Sequence, residues 1–199
     1  KAIITTDFPL NWGLGSSSTL IAAVAQWAEV NPYQLLEATF GGSGYDIACA
    51  YANGPLFYQL NPTLPPGQRE TVTPVVFDPP FKDQLSFVYL GQKQDSREGI
   101  RRYRSMVQTE SAALAAQISA LSRRAIQATT LAEFEAVLLE HEHLIAQALG
   151  LPRAQDLLFP NVKGVVKSLG AWGGDFVLVT GEHTLEGAIP WEQMVGRSV

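Results

Sequence analysis

The stretch Asn11-Trp12-Gly13-Leu14-Gly15-Ser16-Ser17-Ser18-Thr19-Leu20 constrains this chain more than any other. Its two glycines permit positive φ and let backbone come close to a ligand. The serines after them add hydroxyls. Leu20, Ile21, Val24, Trp27 and Ala28 then recur at helical spacing, so a helix starts here and brings unpaired N–H groups and the positive end of its dipole. Such a turn can cradle an anion, phosphate above all. A plain serine N-cap after a glycine turn accounts for the same residues without a ligand. The stretch is not a Walker A loop, because no Gly-Lys-Ser/Thr follows, and it lacks the third glycine of a dinucleotide fingerprint. The β-branched residues 1–6 before it predict a short strand.

Further along, Asn31-Pro32 predicts an N-cap with proline at the first helical position, opening a second helix that runs to about Phe40 and stops at Gly41-Gly42. Ser43 reads as the N-cap of a third helix, with Asp46 in its first turn. Asp46 then has two readings: a carboxylate offsetting the helix dipole, worth about 0.3–1 kcal/mol, or a catalytic carboxylate presented at a glycine turn. Residues 54–60, 71–77 and 84–90 read as strands. The proline-rich connections 61–67 and 78–80 point to short antiparallel strands rather than parallel β-α units.

Asp95 and Glu98 have N-cap spacing ahead of a long helix, with Lys93, Ser96 and Arg97 as an alternative anion-facing group. Ile100, Tyr103, Val107, Leu114, Ile118 and Leu121 form the buried face of that helix. Arg101, Arg102, Arg104, Arg123 and Arg124 are left to solvent. Thr130 with Glu133 predicts a capping box for the next helix, whose apolar face is Leu131, Phe134, Leu138, Ile145 and Leu149, closed by Gly150 and Pro152. His141 and His143 lie two apart, so they diverge on a helix and share no metal. Residues 164–174 read as a glycine hairpin leading into a buried strand over 176–179.

Bulk properties narrow the function. A chain of 199 residues with 46% hydrophobic and 17% charged residues can bury a sizeable core. Net charge −5 disfavours nucleic acid as a partner. No apolar run approaches the roughly 20 residues of a membrane-spanning helix. The single cysteine, Cys49, excludes an internal disulfide and fits a reducing, cytoplasmic setting.

Pro9-x-x-x-Gly13-Leu14-Gly15-Ser16-Ser17 resembles the second motif of the GHMP kinases. Gly42-Ser43-Gly44-Tyr45-Asp46-Ile47-Ala48 and Lys167-Ser168-Leu169-Gly170-Ala171-Trp172-Gly173-Gly174-Asp175 resemble further motifs of that family, in the expected order. Gly-Tyr-Asp-Ile-Ala is similar to a bacterial branch near mevalonate and phosphomevalonate kinases. The resemblance implies an α+β fold of two domains: residues 1–80 would end the amino-terminal domain and 81–199 would form the carboxy-terminal one. It also implies an earlier segment carrying the family's first motif.

The implied activity is ATP-dependent phosphoryl transfer to a small hydroxylated or phosphorylated acid, with ATP and Mg2+ as cofactors. Gly13, Leu14, Gly15, Ser16, Ser17 and Ser18 would hold the nucleotide phosphates, assisted by Gly170, Gly173 and Gly174. By the same resemblance Ser17 would coordinate magnesium, with Glu37 as a second ligand at a looser spacing. Asp46 would be the catalytic base. Trp172 stands where the family usually has a small residue. The partner implied is a small-molecule substrate, with a homodimer allowed and neither nucleic acid nor membrane expected. Two alternatives stand beside this reading: a diphosphomevalonate decarboxylase, and a catalytically silent binding module of the same fold.

Overall fold

Asn31 caps a helix as its order with Pro32 predicts: its side-chain oxygen accepts the Tyr33 N–H at 2.9 Å and the Gln34 N–H at 3.1 Å. The computed structural model to which this helix belongs describes residues 3–91, 101, 105, 111–170 and 175–195. They form an α+β fold that divides into two units, Lys1–Phe77 and Asp78–Val199.

In the first unit, α1 (Ser16–Ala28), α2 (Pro32–Thr39) and α3 (Tyr45–Tyr51) meet around Ile21, Leu36 and Ile47. Ile47 is completely buried. Each helix contributes one side chain to this small core, so burying its apolar stripe orients all three. The Tyr51 hydroxyl donates to the Ala22 carbonyl at 3.0 Å and ties α3 to α1. Two strands follow, β1 (Leu56–Leu60) and β2 (Glu70–Pro74), paired antiparallel with Tyr58 opposite Val72. The turn-rich connection closes with the Asn61 N–H donating to the Arg69 carbonyl at 2.8 Å.

Two local expectations are corrected here. Residues 3–6 form no strand: Ile3 is 78% exposed, and a β-branched run needs a neighbouring ladder that the described residues do not give it. The N-cap of α3 is Gly44, in the left-handed region, and not Ser43. Ser43 sits one residue earlier and its hydroxyl still accepts the Tyr45 N–H at 3.3 Å.

The second unit is a four-stranded antiparallel sheet with helices. Its strands are β3 (Leu85–Tyr89), β4 (Val166–Ser168), β5 (Phe176–Thr180) and β6 (Ile189–Pro190), in the order β4-β5-β3-β6. Phe87 stands opposite Leu178 in β5 and Ile189 in β6. β5 is buried along its whole length, which explains its unbroken apolar sequence. The helices are α4 (Ser111–Gln127), α5 (Leu131–Leu149), α6 (Ala154–Leu158) and α7 (Trp191–Val195). Both halves of the Thr130/Glu133 capping box form, and Gly150 ends α5 with φ 59°. Residues 95 and 98, with the predicted cap there, lie outside the described residues. No helix among the described residues is long and apolar enough to cross a membrane.

Candidate functional site

The loop ahead of α1 takes the shape its glycines allow. Gly13 and Gly15 both have positive φ, 69° and 76°. Gly15 is the N-cap of α1, and no side chain caps that end; its first turn also carries no acidic residue. A Cβ added at Gly15 would meet nothing within 4 Å, so the glycine serves its backbone angle and leaves open space before the helix. Leu14 is 40% exposed beside it. Ser17 is exposed, while Ser16 and Ser18 are half-buried. The first helical bond runs from the Thr19 N–H to the Gly15 carbonyl at 2.9 Å, reinforced by the Thr19 hydroxyl at 3.1 Å.

The Asp46 turn is held more tightly. Gly41, Gly42 and Gly44 have φ of 67°, 111° and 81°. Gly44 is buried beneath two tyrosines: a Cβ there would lie 2.8 Å from Tyr33 Cδ1 and 3.1 Å from the Tyr58 hydroxyl oxygen. The Tyr58 hydroxyl donates to the Ser43 carbonyl. Its ring meets that of Tyr45 edge-on, with centroids 5.9 Å apart. Burial pushes the hydroxyls of Tyr45 and Tyr58 up to about 12, so both stay protonated donors at neutral pH.

Asp46 occupies the first turn of α3 with its side chain toward solvent. Loss of water to neighbouring protein atoms raises its carboxyl from the ordinary value. Cys49, one turn on, is exposed, and partial loss of water likewise raises its thiol.

Glu37 lies on α2 with its carboxylate engaged: Oε2 is 2.9 Å from Arg69 Nη2. Among the described residues no group of three or more His, Cys, Asp and Glu side chains is placed to hold a metal. Ser17 therefore offers a neutral hydroxyl, and Glu37 a carboxylate already neutralised by a guanidinium. A loop hydroxyl and a carboxylate are groups that magnesium takes beside nucleotide phosphates, and here the carboxylate is shared with Arg69.

Gly170 has φ 66° and follows β4 in the second unit, where the Leu169 N–H donates to the Phe176 carbonyl at 3.1 Å. β4 and β5 pair antiparallel, with Lys167 opposite Leu178. Gly173 and Gly174, with Trp172, lie outside the described residues. The loop at residues 13–18, Asp46 and Glu37 belong to the first unit, and Gly170 to the second.

Sequence reasoning missed Arg69 and Glu70. The signal was an Arg-Glu pair opening an otherwise uncharged Thr/Val strand. Glu70, its side chain 3% exposed, accepts from Arg69 Nε at 3.1 Å and from the Gly67 N–H at 2.9 Å.

Comparison with known proteins places the fold and stops there. No protein-family profile matches the chain, and no curated protein does. The chain is similar to the crystal structure of a Lin0012 protein from Listeria innocua, with a TM-score of 0.63 and 17% identity over 86% of this chain. It spans 60% of the length of that structure.

Proposed function

We propose that this chain is the phosphate-binding and base-bearing part of an ATP-dependent kinase of the GHMP type, acting on a small hydroxylated or phosphorylated acid such as mevalonate or phosphomevalonate. The observation that carries the reading is the uncapped start of α1 behind two left-handed glycines. The backbone N–H groups of Ser16, Ser17 and Ser18 would receive the phosphate oxygens, where the helix dipole favours negative charge. The order of the three motif resemblances supports the same reading.

Phosphoryl transfer asks a protein for positioning and charge neutralisation more than for covalent chemistry. In this reading Asp46 accepts or orients the proton of the acceptor hydroxyl. Loss of water raises its carboxyl, the direction that makes a carboxylate the stronger base. The protonated hydroxyls of Tyr45 and Tyr58 stand at the same turn. Bound with ATP, magnesium would supply neutralisation of the phosphates.

The test is a kinase assay with the full-length protein and Mg-ATP against mevalonate, phosphomevalonate, homoserine and galactose. Phosphorylation of one acid is expected. Release of carbon dioxide together with phosphate from diphosphomevalonate would shift the reading to the decarboxylase. Absence of ATP binding would end it, and ATP binding without turnover of any acceptor would leave a binding module.

A further inference from the structure

We propose that Arg69 is the positioning residue of the Asp46 turn, with its guanidinium anchored on Glu70 and Glu37 and holding the Gly42 carbonyl. The inference deepens the function proposed above and rests on it only where turnover is measured.

Three contacts converge on one side chain. Arg69 Nε meets Glu70 Oε1 at 3.1 Å, while Nη2 meets Glu37 Oε2 at 2.9 Å and the Gly42 carbonyl at 3.4 Å. These partners come from three places in the chain: β2, α2 and the glycine turn before α3. The guanidinium is largely covered, with the Arg69 side chain 15% exposed, and Glu70 beneath it is nearly fully buried. A planar fork with donors in fixed directions can satisfy such divergent acceptors at once, which an ammonium cannot.

The anchor itself is fixed. Glu70 Oε2 also accepts the Gly67 N–H, so the hairpin turn holds the carboxylate that holds the guanidinium. The turn that is gripped needs the grip. Gly41, Gly42 and Gly44 all have positive φ, and glycine-rich backbone has many alternatives to lose. Tyr58 and Tyr33 fix this turn at Ser43 and Gly44; Arg69 fixes it at Gly42. Asp46 lies four residues beyond that last contact, and its direction follows from where α3 starts. Glu37 then has a stated role as counter-ion in the clamp, in place of the metal ligation that the family resemblance implies.

The experiment uses the full chain and three variants, Arg69→Lys, Arg69→Met and Glu37→Gln. Amide hydrogen exchange at residues 41–46, read without substrate, should quicken at least tenfold in Arg69→Met. It should quicken severalfold in Arg69→Lys and Glu37→Gln, with exchange in the second unit unchanged. Binding of Mn2+ with ATP should be the same in Glu37→Gln as in the unaltered protein. Where an acceptor substrate is turned over, Arg69→Lys should lower kcat about tenfold and leave the KM for ATP in place. A purely structural arginine would instead lower the folded fraction and spare kcat per folded molecule.

Arg69→Met leaves Glu70 unpaired and can fail to fold; in that event the lysine and glutamine variants decide. Unchanged exchange at residues 41–46 in both of those variants overturns the proposal. So does loss of Mn2+ affinity in Glu37→Gln with the turn undisturbed, which returns Glu37 to the metal. The exchange readouts need no enzymatic activity, so failure of the kinase reading and failure of the clamp are told apart.

Discussion

At Asp46 two effects oppose each other. A carboxylate in the first turn of a helix gains from the dipole, which favours its charged form. Loss of water favours the neutral form, and at Asp46 it prevails, since the carboxyl is raised. A group whose folded pKa lies above its unfolded value contributes stability at pH below the unfolded pKa, and loses that contribution as pH rises through the folded pKa. At pH 7 the ionised side chain is therefore a small liability. Asp46→Asn should leave the melting temperature unchanged or slightly raised at pH 7, as thermal unfolding at pH 7 and pH 4 will show. If Asp46 is the base, the same variant should turn over roughly 10²–10⁴-fold more slowly, the usual share of general acid–base catalysis, with ATP affinity unaltered. A carboxylate kept only for the dipole makes the reverse forecast on both counts. Gly44 next door is the more fragile position. Gly44→Ala adds a left-handed strain of about 1–2 kcal/mol to an overlap with the Tyr33 ring worth another 1–3 kcal/mol or so. Denaturant unfolding should register about 2–5 kcal/mol of lost stability from the two terms.

Helix starts carry the element-scale differences. α2 and α5 are capped by their own side chains, Asn31 and Thr130, and each cap is visible in sequence because donor and acceptor lie within three residues. Thr130→Ala should cost about 1 kcal/mol, measured by urea unfolding. α1 is the contrast, since it begins on a glycine and no side chain caps it. Gly15→Ala forces an L side chain into φ 76° and should cost about 1–2 kcal/mol. On the proposed function it should also weaken ATP binding at least tenfold by calorimetry, while Thr130→Ala leaves ATP binding unchanged. Equal ATP affinity in Gly15→Ala and the parent would remove the loop from the nucleotide site.

For the whole molecule, a dependence of stability on pH follows from groups in the second unit that no local motif announces. Glu142, 1% exposed, accepts the Ser168 N–H at 3.1 Å and pairs with Lys167 Nζ at 3.4 Å. His141 beside it on α5 has a buried Nδ1 with no hydrogen-bond partner among the side chains of the described residues. Burial, with the Lys167 charge adding to it, pushes the imidazole down to about 4. The unfolded chain binds this proton near pH 6.5 and the folded one near pH 4. Stability should therefore fall as pH drops through that window, by at most about 1.4 kcal/mol for each pKa unit of difference. His141→Leu removes both the proton and the buried nitrogen. Its unfolding free energy should be flatter between pH 6.5 and pH 4 than that of the parent, and parallel slopes would show that His141 does not set the acid limit.

What the sequence determined by itself are the features whose physics is local. They include the glycine turn and helix start at residues 13–20, the caps at Asn31 and Thr130, the stop at Gly150 and the buried strand over 176–179. They also include the antiparallel, α+β character that proline-rich connections impose. Each depends on residues a few positions apart, where φ preference, side-chain reach and periodicity act without help from the rest of the chain. The tertiary structure decided the remainder. Residues 1–6 are β-branched, yet residues 3–6 form no strand, because a strand exists only with a partner to bond. Glu37 and Arg69 stand 32 positions apart, and only the fold of the first unit brings them together and turns a free carboxylate into the counter-ion of a clamp. Asp46 is legible as a first-turn carboxylate, but the upward shift of its carboxyl comes from desolvation by the folded chain around it. Desolvation and long-range pairing depend on which surfaces meet, and that is fixed only when the whole chain has folded.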